Sequence, residues 1–350
     1  MLQLAAQPPF AYTNTVLPAP GAPVPMDQAL AIPPTATSNS YGIDSGYRTP
    51  FVQIWNFDVQ RDITRTVTLG FDYTGTKGSD LDLLRAPNRT ATGALLIPDV
   101  LPFIWESAIA YSNMNAVTFS IRKRLTDGFA ASASYTLSKA LDDASSIAGG
   151  TGVVAQNDQN LAAEYGLSNF DQRQRFTGTF TYELPFGPNK KWLDSGVSAA
   201  IFGGWVWNGT VQLATGTPFT ARVIGAYTDV AGGVNGTLRA NYNGAPVTIA
   251  DPSVGMLFNT AAFSVPPLGQ FGDAGRNTII GPGVSNVNLG LTRNIPIGQN
   301  RMLSVQLLAN NVFNIAQYSA IDTAANSPTF GQITAARAPR QIQVLTRFRF

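Results

Sequence analysis

The side chains best suited to chemistry in this chain are acidic ones between residues 142 and 164. Asp142 and Asp143 follow a strand-like run, and Asp158 and Glu164 come shortly after them. Hard carboxylate oxygens of this kind suit Ca²⁺, although their spacing is not that of an EF-hand. The alternative is an ordinary solvated polar loop, which we favour, so no metal site is predicted.

Two basic residues come next and suggest a different chemistry. Arg173 and Arg175 flank Gln174 in the stretch NFDQRQRF, so both point to the same side of a strand. A pair of guanidinium groups on a polar strand face suits contact with an anionic solute. The alternative is general electrostatic lining of a wet surface.

The chain lacks the residues that many catalytic and cofactor-binding sites need. The chain has no Cys and no His, which excludes disulfides, thiolate metal sites, haem bound through His, Ser-His-Asp triads and Cys-His dyads. Carboxylates paired for acid–base catalysis are not apparent, and the glycines of GQFGDAGRNTIIGPG form no phosphate-binding motif and are interpreted as loop residues. We therefore expect no enzyme and no cofactor. The net charge of only +2 gives no reason to expect a nucleic-acid partner.

The elements that would position these residues are strands. The chain is 13% charged, about half the usual share, and contains 33 Gly and 23 Pro, which indicates an all-β protein with many turns. Nine runs alternate between apolar and polar residues, the signature of strands with two different faces. These runs are 51–60, 65–75, 115–124, 129–139, 173–186, 205–216, 284–293, 302–311 and 340–350.

The links between these runs are alternately short and long. Tight links such as LTDG separate some neighbours, while the sixth and seventh runs are separated by roughly 65 residues. Membrane barrels have short turns at one end and long loops at the other. We therefore predict an antiparallel up-and-down transmembrane β-barrel, present in part, with long external loops and short periplasmic turns. A sheet packed on a soluble core is the alternative.

The predicted organisation has two parts. Residues 1–49 are expected to be an external loop or a poorly ordered segment, and residues 50–350 the C-terminal part of a barrel. Nine strands is an odd number, and the start MLQLAAQPPFAYTN does not have the pattern of a signal peptide. We therefore expect that at least one strand and an N-terminal part are missing.

Several stretches together resemble the C-terminal barrel of TonB-dependent outer-membrane transporters, especially the Oar-like group of acidobacteria. They are NFDVQRDITRTVTLGFDYTGTKG, FSIRKRLTDGFAASASYTLSKALDD, SNFDQRQRFTGTFTYELPFG, GGWVWNGTVQLATGTPFT, LLANNVFNIAQY and QVLTRFRF. The resemblance implies a 22-stranded barrel in the Gram-negative outer membrane that imports a bulky nutrient such as a metal chelate or an oligosaccharide. Neither the family's internal plug domain nor its TonB-binding segment is recognisable here. The chain would then be a fragment of about nine strands that meets TonB only through the missing plug region.

The resemblance also implies a role for the last strand. In the family, the barrel-assembly machinery reads a C-terminal aromatic residue preceded by apolar residues at every second position. Ile342, Val344, Phe348 and Phe350 match that pattern, and Thr346 departs from it. The resemblance further implies contacts with outer-membrane lipids and lipopolysaccharide, and it makes Arg173 and Arg175 candidate lumen residues that contact an anionic substrate or the plug. A soluble or surface-attached β-rich binding or adhesion module is the main alternative function, and an unplugged porin is a weaker one.

Overall fold

The computed structural model describes residues 41–88, 96–98, 103–145, 154–224, 238–298 and 300–350. The predicted loop of residues 1–49 therefore lies outside the described residues except for 41–49. The strands are β1 (Tyr41–Ile43), β2 (Phe51–Asp62), β3 (Val67–Arg85), β4 (Ile104–Thr126), β5 (Phe129–Asp142), β6 (Gly166–Leu167), β7 (Gln174–Glu183), β8 (Trp205–Ala214), β9 (Pro218–Phe219), β10 (Asn241–Tyr242), β11 (Phe263–Ser264), β12 (Ile279–Ile280), β13 (Val284–Ile297), β14 (Arg301–Asn310), β15 (Tyr318–Ile321), β16 (Ile333–Ala336) and β17 (Gln341–Arg349). One short α-helix, α1 (Gly196–Phe202), and two 3₁₀ turns, Leu161–Glu164 and Thr260–Ala262, complete the described elements.

Nine long strands form one antiparallel sheet in the order β2, β3, β4, β5, β7, β8, β13, β14, β17. Each strand pairs with the next long strand along the chain, so the sheet is an up-and-down meander. All nine predicted runs are strands of this sheet, and the predicted strand order is confirmed. The sheet is open, with β2 and β17 at its two edges.

The register aligns the apolar residues of all nine strands on one face. Phe119 of β4 lies opposite Phe71 of β3 and Tyr135 of β5, and the Phe71 and Phe119 rings meet edge to face at 5.3 Å. On the same face, near the edge formed by β17, Leu307 of β14 pairs with Leu291 of β13 and Val344 of β17. Phe119 is 50% exposed. No second layer of the described residues therefore covers this apolar face.

The opposite face is a ladder of hydroxyl and amide groups. Ser134 and Thr177 are joined by a hydrogen bond of 2.7 Å between β5 and β7, and Ser132 and Thr179 by one of 2.8 Å. Such cross-strand polar pairs stabilise neighbouring strands and keep the polar residues of the pattern on one side. The sheet thus has one apolar and one polar face, as the period of two predicts.

The lengths of β3 and β4 differ from the prediction. Their pairing continues to Arg85 and Trp105, so the link between the second and third predicted runs, residues 76–114, is reduced to residues 86–103. The extension is stabilised by burial of Leu83 against Ala110 and Ala155. The tight link between β4 and β5 matches its prediction, because Asp127 and Gly128 both adopt the positive φ that a two-residue hairpin turn needs.

A helix in the β7–β8 link was not predicted. Helix α1 has only seven residues, too few for a clear periodic pattern. Arg293 donates a hydrogen bond of 2.8 Å to the carbonyl of Ile201 and another to that of Ala200, at the end of the helix. Of the helices that the structure describes, none is long and apolar enough to cross a membrane.

The main hydrophobic core lies in the long links and not under the sheet. Strand pairing places the links β3–β4, β5–β7, β8–β13 and β14–β17 at one end of the sheet. There Phe258, Phe263 and Phe330 make mutual edge-to-face contacts around the buried Ile279. We call residues 154–171, 217–224, 238–280 and 318–336 the cap. The cap is a folded structure on the long-link end of the sheet.

Candidate ligand cavity in the cap

Arg276 joins the cap to the end of strand β5. Its Nε donates to the carbonyl of Glu164 at 2.7 Å, one terminal nitrogen donates to Ser145 Oγ at 3.2 Å, and the other pairs with the carboxylate of Asp142. Arg276 and Asp142 are 6% and 7% exposed. A guanidinium so deeply buried needs such partners, because an unpaired buried charge is strongly unfavourable.

Arg239 forms a second buried ion pair. One terminal nitrogen lies 3.3 Å from Glu164 Oε1, and the other donates to the carbonyl of Ala163 at 3.0 Å. Its backbone N–H donates to Gln156 Oε1 at 2.6 Å, and the N–H of Gln156 donates to Glu164 at 2.9 Å. The β5–β7 link therefore binds the β8–β13 link through both side-chain and main-chain groups.

Burial sets the electrostatics of this pair. Removal from water lowers the pKa of Arg239, the carboxylate of Glu164 opposes that decrease, and the positive charge of Arg276 adds to it. The Nε of Arg239 is buried and has no hydrogen-bond partner among the described residues. One donor of a buried cation is thus unsatisfied.

Arg239, Arg276 and Glu164 line a cavity of about 290 Å³. The β5–β7 link contributes Glu164 and Asn169, the β8–β13 link contributes the residues around Pro218 and three arginines, and the β14–β17 link contributes Thr323. The three arginines are Arg222, Arg239 and Arg276. The hydroxyl of Thr220 donates to Asn277 Oδ1 at 2.9 Å and fixes that part of the wall. The cavity combines cationic, amide and apolar groups drawn from three links.

The four carboxylates considered for Ca²⁺ do not form a cation site. Asp142 pairs with Arg276 and Glu164 with Arg239, as described above. Asp158 forms an ion pair with Arg85, and Asp143 accepts a 2.8 Å hydrogen bond from the N–H of Tyr111. In the part of the chain that the structure describes, no three acidic side chains are grouped as a metal ion would require. Three of these acids instead neutralise separate arginines.

Neither of the predicted lumen arginines lines the cavity. Arg175 in β7 is opposite Thr136 and Ala214, on the polar face. Arg173 precedes β7, and its carbonyl accepts a hydrogen bond of 3.1 Å from the N–H of Ser138. Both side chains are exposed. The structure therefore places both arginines near the long-link end of β7.

The predicted C-terminal signal lies on the edge strand β17, except for Phe350, which directly follows it. Val344 pairs with Leu307 and Phe348 with Leu303, so these residues belong to the apolar face. The rings of Phe348 and Phe350 stack at 6.0 Å. Phe350 is 96% exposed, which leaves its ring free to contact another surface.

The three arginines of the cavity are not predicted from the sequence. Arg276 lies in GQFGDAGRNTIIGPG, whose glycines predict only a loop. Arg222 and Arg239 lie in the long link between the sixth and seventh runs, where no periodic pattern marks them. The available signal was a few isolated arginines in long links of a chain with few charges.

Comparison with known proteins gives a family. The family model described as "Outer membrane beta barrel domain" matches residues 1–343. No curated protein matches the chain.

Solved structures similar to this chain include the outer-membrane transporter YddB from Escherichia coli, at 11% identity and a TM-score of 0.48, with 88% of this chain and 34% of YddB covered. The FpvAI–pyocin S2 complex is similar at 12% identity and a TM-score of 0.40, over 85% of this chain and 27% of the other. P. aeruginosa FpvA bound to a heterologous ferric pyoverdine is similar at 11% identity and a TM-score of 0.38, over 84% of this chain and 26% of FpvA. The chain thus spans about a third or less of the length of these structures.

Proposed function

The chain belongs to the outer membrane beta barrel domain family, and from this premise we propose that it forms part of the wall of a TonB-dependent transporter. It is an outer-membrane protein whose nine long strands are a partial β-barrel. The proposed cargo is a bulky nutrient such as a metal chelate or an oligosaccharide. The proposed role is transport and not catalysis, and the proposed subgroup is the Oar-like one, on the stretches quoted above.

One observation carries the proposal, namely the apolar face that runs without a covering layer across nine strands. Phe57, Phe119 and Val344 on this face are 59%, 50% and 69% exposed. Exposed apolar surface on this scale marks contact with another apolar phase, and in this family that phase is the membrane. The polar face then lines a watery interior.

The presence of the cap favours a transporter over a barrel that has no folded structure at its external end. Its links pack around their own aromatic core and enclose a cavity. In the proposed orientation the long links are external, so the cap is where an arriving solute first meets the protein. A folded cap of this kind suits capture of a solute before passage.

Lipid cannot satisfy the free backbone groups of an open sheet edge. We therefore propose that β2 and β17 pair with further strands of a longer polypeptide, which also supplies the plug and its TonB contact. Arg173 and Arg175 are proposed to line the interior, and residues 342–350 to be read during barrel assembly. Lipids and lipopolysaccharide are the proposed partners of the apolar face.

Uptake measurements test this proposal. Cells producing the chain within the longer polypeptide that supplies the plug would be given ferric citrate with radioactive iron and, separately, a labelled maltodextrin, in strains with and without TonB. We expect uptake of one probe that falls to background without TonB. Equal uptake in both strains would favour an unplugged porin, and absence of TonB-dependent uptake of either probe would contradict the proposed cargo classes.

The location of the protein in those cells is the control. An outer-membrane barrel should be found in the membrane fraction, and it should migrate differently on a denaturing gel before and after heating. Protein that stays in the aqueous fraction without detergent would instead support the soluble binding module.

A further inference from the structure

Three arginines line the cavity in the cap, and among the described residues only two of them form ion pairs with carboxylates. Arg222, Arg239 and Arg276 all line it, while two carboxylates, Glu164 and Asp142, lie at ion-pair distance from two of these arginines. Arg239 and Arg276 are 5% and 6% exposed. Buried guanidinium groups are rare without a full set of partners.

Arg222 is the arginine without an acidic partner. Among the described residues no carboxylate lies within ion-pair distance of its guanidinium. Asp322 is close enough for the charge of Arg222 to influence it, but its oxygens accept hydrogen bonds from the N–H of Ala324 at 2.9 Å and from Thr329 Oγ1 at 2.7 Å. The charge of Arg222 is therefore available to a ligand.

Arg239 provides an independent indication of a ligand. Its Nε is the one buried side-chain nitrogen or oxygen of the described residues that lacks a hydrogen-bond partner. Buried donors are nearly always paired, so an orphan in a cavity wall calls for a specific explanation. A ligand oxygen in the cavity would explain it, because this oxygen can accept a hydrogen bond from Nε after a small adjustment of the Arg239 side chain.

The remaining wall fits a small organic anion. The volume of about 290 Å³ lies near the lower end of the range for small-molecule sites, roughly 300 Å³. Pro218 and Phe219 give one apolar side, and Asn169 adds an amide. There is room for one charged oxygen group with a few attached atoms.

We propose that this cavity binds the oxyanion group, a carboxylate or a phosphate, of a small solute or of one end of a larger solute. Arg222 contacts the anion from the exposed side with its unpaired charge, and Arg239, whose charge is paired with Glu164, donates from the buried side through its unpaired Nε. Guanidinium groups bind both planar carboxylates and phosphates through charge-assisted hydrogen bonds. The inference deepens the proposed function, on which it rests, by giving the cargo an anionic group.

Calorimetric titration of the full chain in detergent tests the proposal with three probes: succinate, inorganic phosphate and neutral glucose. We expect succinate or phosphate to bind with one-to-one stoichiometry, and glucose not to bind. Arg222→Gln should weaken that binding roughly tenfold to a hundredfold, the loss typical of a charge-assisted hydrogen bond. Arg222→Lys should keep part of the affinity because it retains the charge.

Lys190→Gln is the matched control, because it removes one exposed positive charge from the β7–β8 link at the opposite end of the sheet. It should leave the affinity unchanged. The proposal is overturned if neither anion binds, if glucose binds as tightly as the anions, or if Arg222→Gln and Lys190→Gln behave alike. Arg222 is exposed, so its substitution should not prevent folding, and the gel-mobility shift on heating checks this.

The binding test and the uptake test can fail separately. Binding in detergent needs neither TonB nor an energised membrane. Anion binding without TonB-dependent uptake would contradict transport and leave the anion site standing. Uptake without any anion binding would contradict the anion site and leave transport standing.

Discussion

A terminal guanidinium nitrogen of Arg239 lies 3.3 Å from Glu164 Oε1, and this buried contact joins the β8–β13 link to the β5–β7 link. The neighbouring pair, Arg276 with Asp142, joins the β8–β13 link to the end of β5. Both pairs are almost inaccessible to water. The cap is therefore fixed to the sheet by ion pairs as well as by its aromatic core.

Breaking the first pair should loosen the cap. Glu164→Gln leaves Arg239 as an uncompensated buried charge, which costs about 3–5 kcal/mol. Hydrogen exchange at the N–H of Gln156, which donates to Glu164, should become faster by the corresponding factor. Glu183→Gln is the control, because its pair with Lys190 is more than a third exposed and contributes less than about 1 kcal/mol. Equal effects of the two substitutions would contradict this account of the cap.

Substitution in the aromatic core of the cap should destabilise the cap about as much as breaking the ion pair does. Phe258 is 2% exposed and touches both Phe263 and Phe330. Phe258→Ala should destabilise the cap by about 3–5 kcal/mol, measured as faster proteolysis within residues 238–280. Phe313→Ala, at a position that is 68% exposed, should change the cleavage rate little. A cap that resists protease equally in both variants would show that this cluster does not hold it together.

The acid stability of the cap should depend on Asp322. Burial acts to raise its pKa, but hydrogen bonds from Ser327, Thr329 and Ala324 and the charge of Arg222 outweigh burial and lower the pKa below its ordinary value of 3.8. A carboxylate with a lowered pKa contributes stability that is present above 3.8 and is lost as pH falls through the lower, folded-state value.

Asp322→Asn should therefore remove a contribution seen at neutral pH and reduce the loss of cap stability on acidification below 3.8. Hydrogen exchange of cap amides between neutral and acidic pH, corrected for intrinsic rates, measures the difference. The same pH dependence in wild type and variant would rule out this role.

Arg293 should hold the helix of the β7–β8 link. Its guanidinium lies 5.8 Å from the centre of the Trp205 ring and donates to carbonyls at the end of α1. Arg293→Gln should cost the helix about 1–3 kcal/mol, detected as faster exchange of the Gly203 N–H, which donates to Ala199. Arg301→Gln, at the exposed start of β14, is the control and should leave that exchange unchanged.

The sheet could be predicted from the sequence because the features that determine it lie close together along the chain. Alternation between neighbouring residues such as Phe119 and Ser120 sets the face, and link lengths set the order of strands. The cap could not be predicted, because its contacts join residues that are far apart in the sequence. Arg276 and Asp142 are 134 positions apart, and β9 to β12 have two residues each, too few for any pattern. The extension of β3 likewise depends on Ala155, a residue of a different link.

The central claim is that the apolar face contacts lipid and the polar face water. The chain has no Cys, so single cysteines introduced at residues 116–121 of β4 can each be spin-labelled uniquely. In reconstituted bilayers, oxygen should relax the labels at 117, 119 and 121 most, and a water-soluble nickel chelate those at 116, 118 and 120. The reverse alternation, or equal access along the strand, would contradict the account.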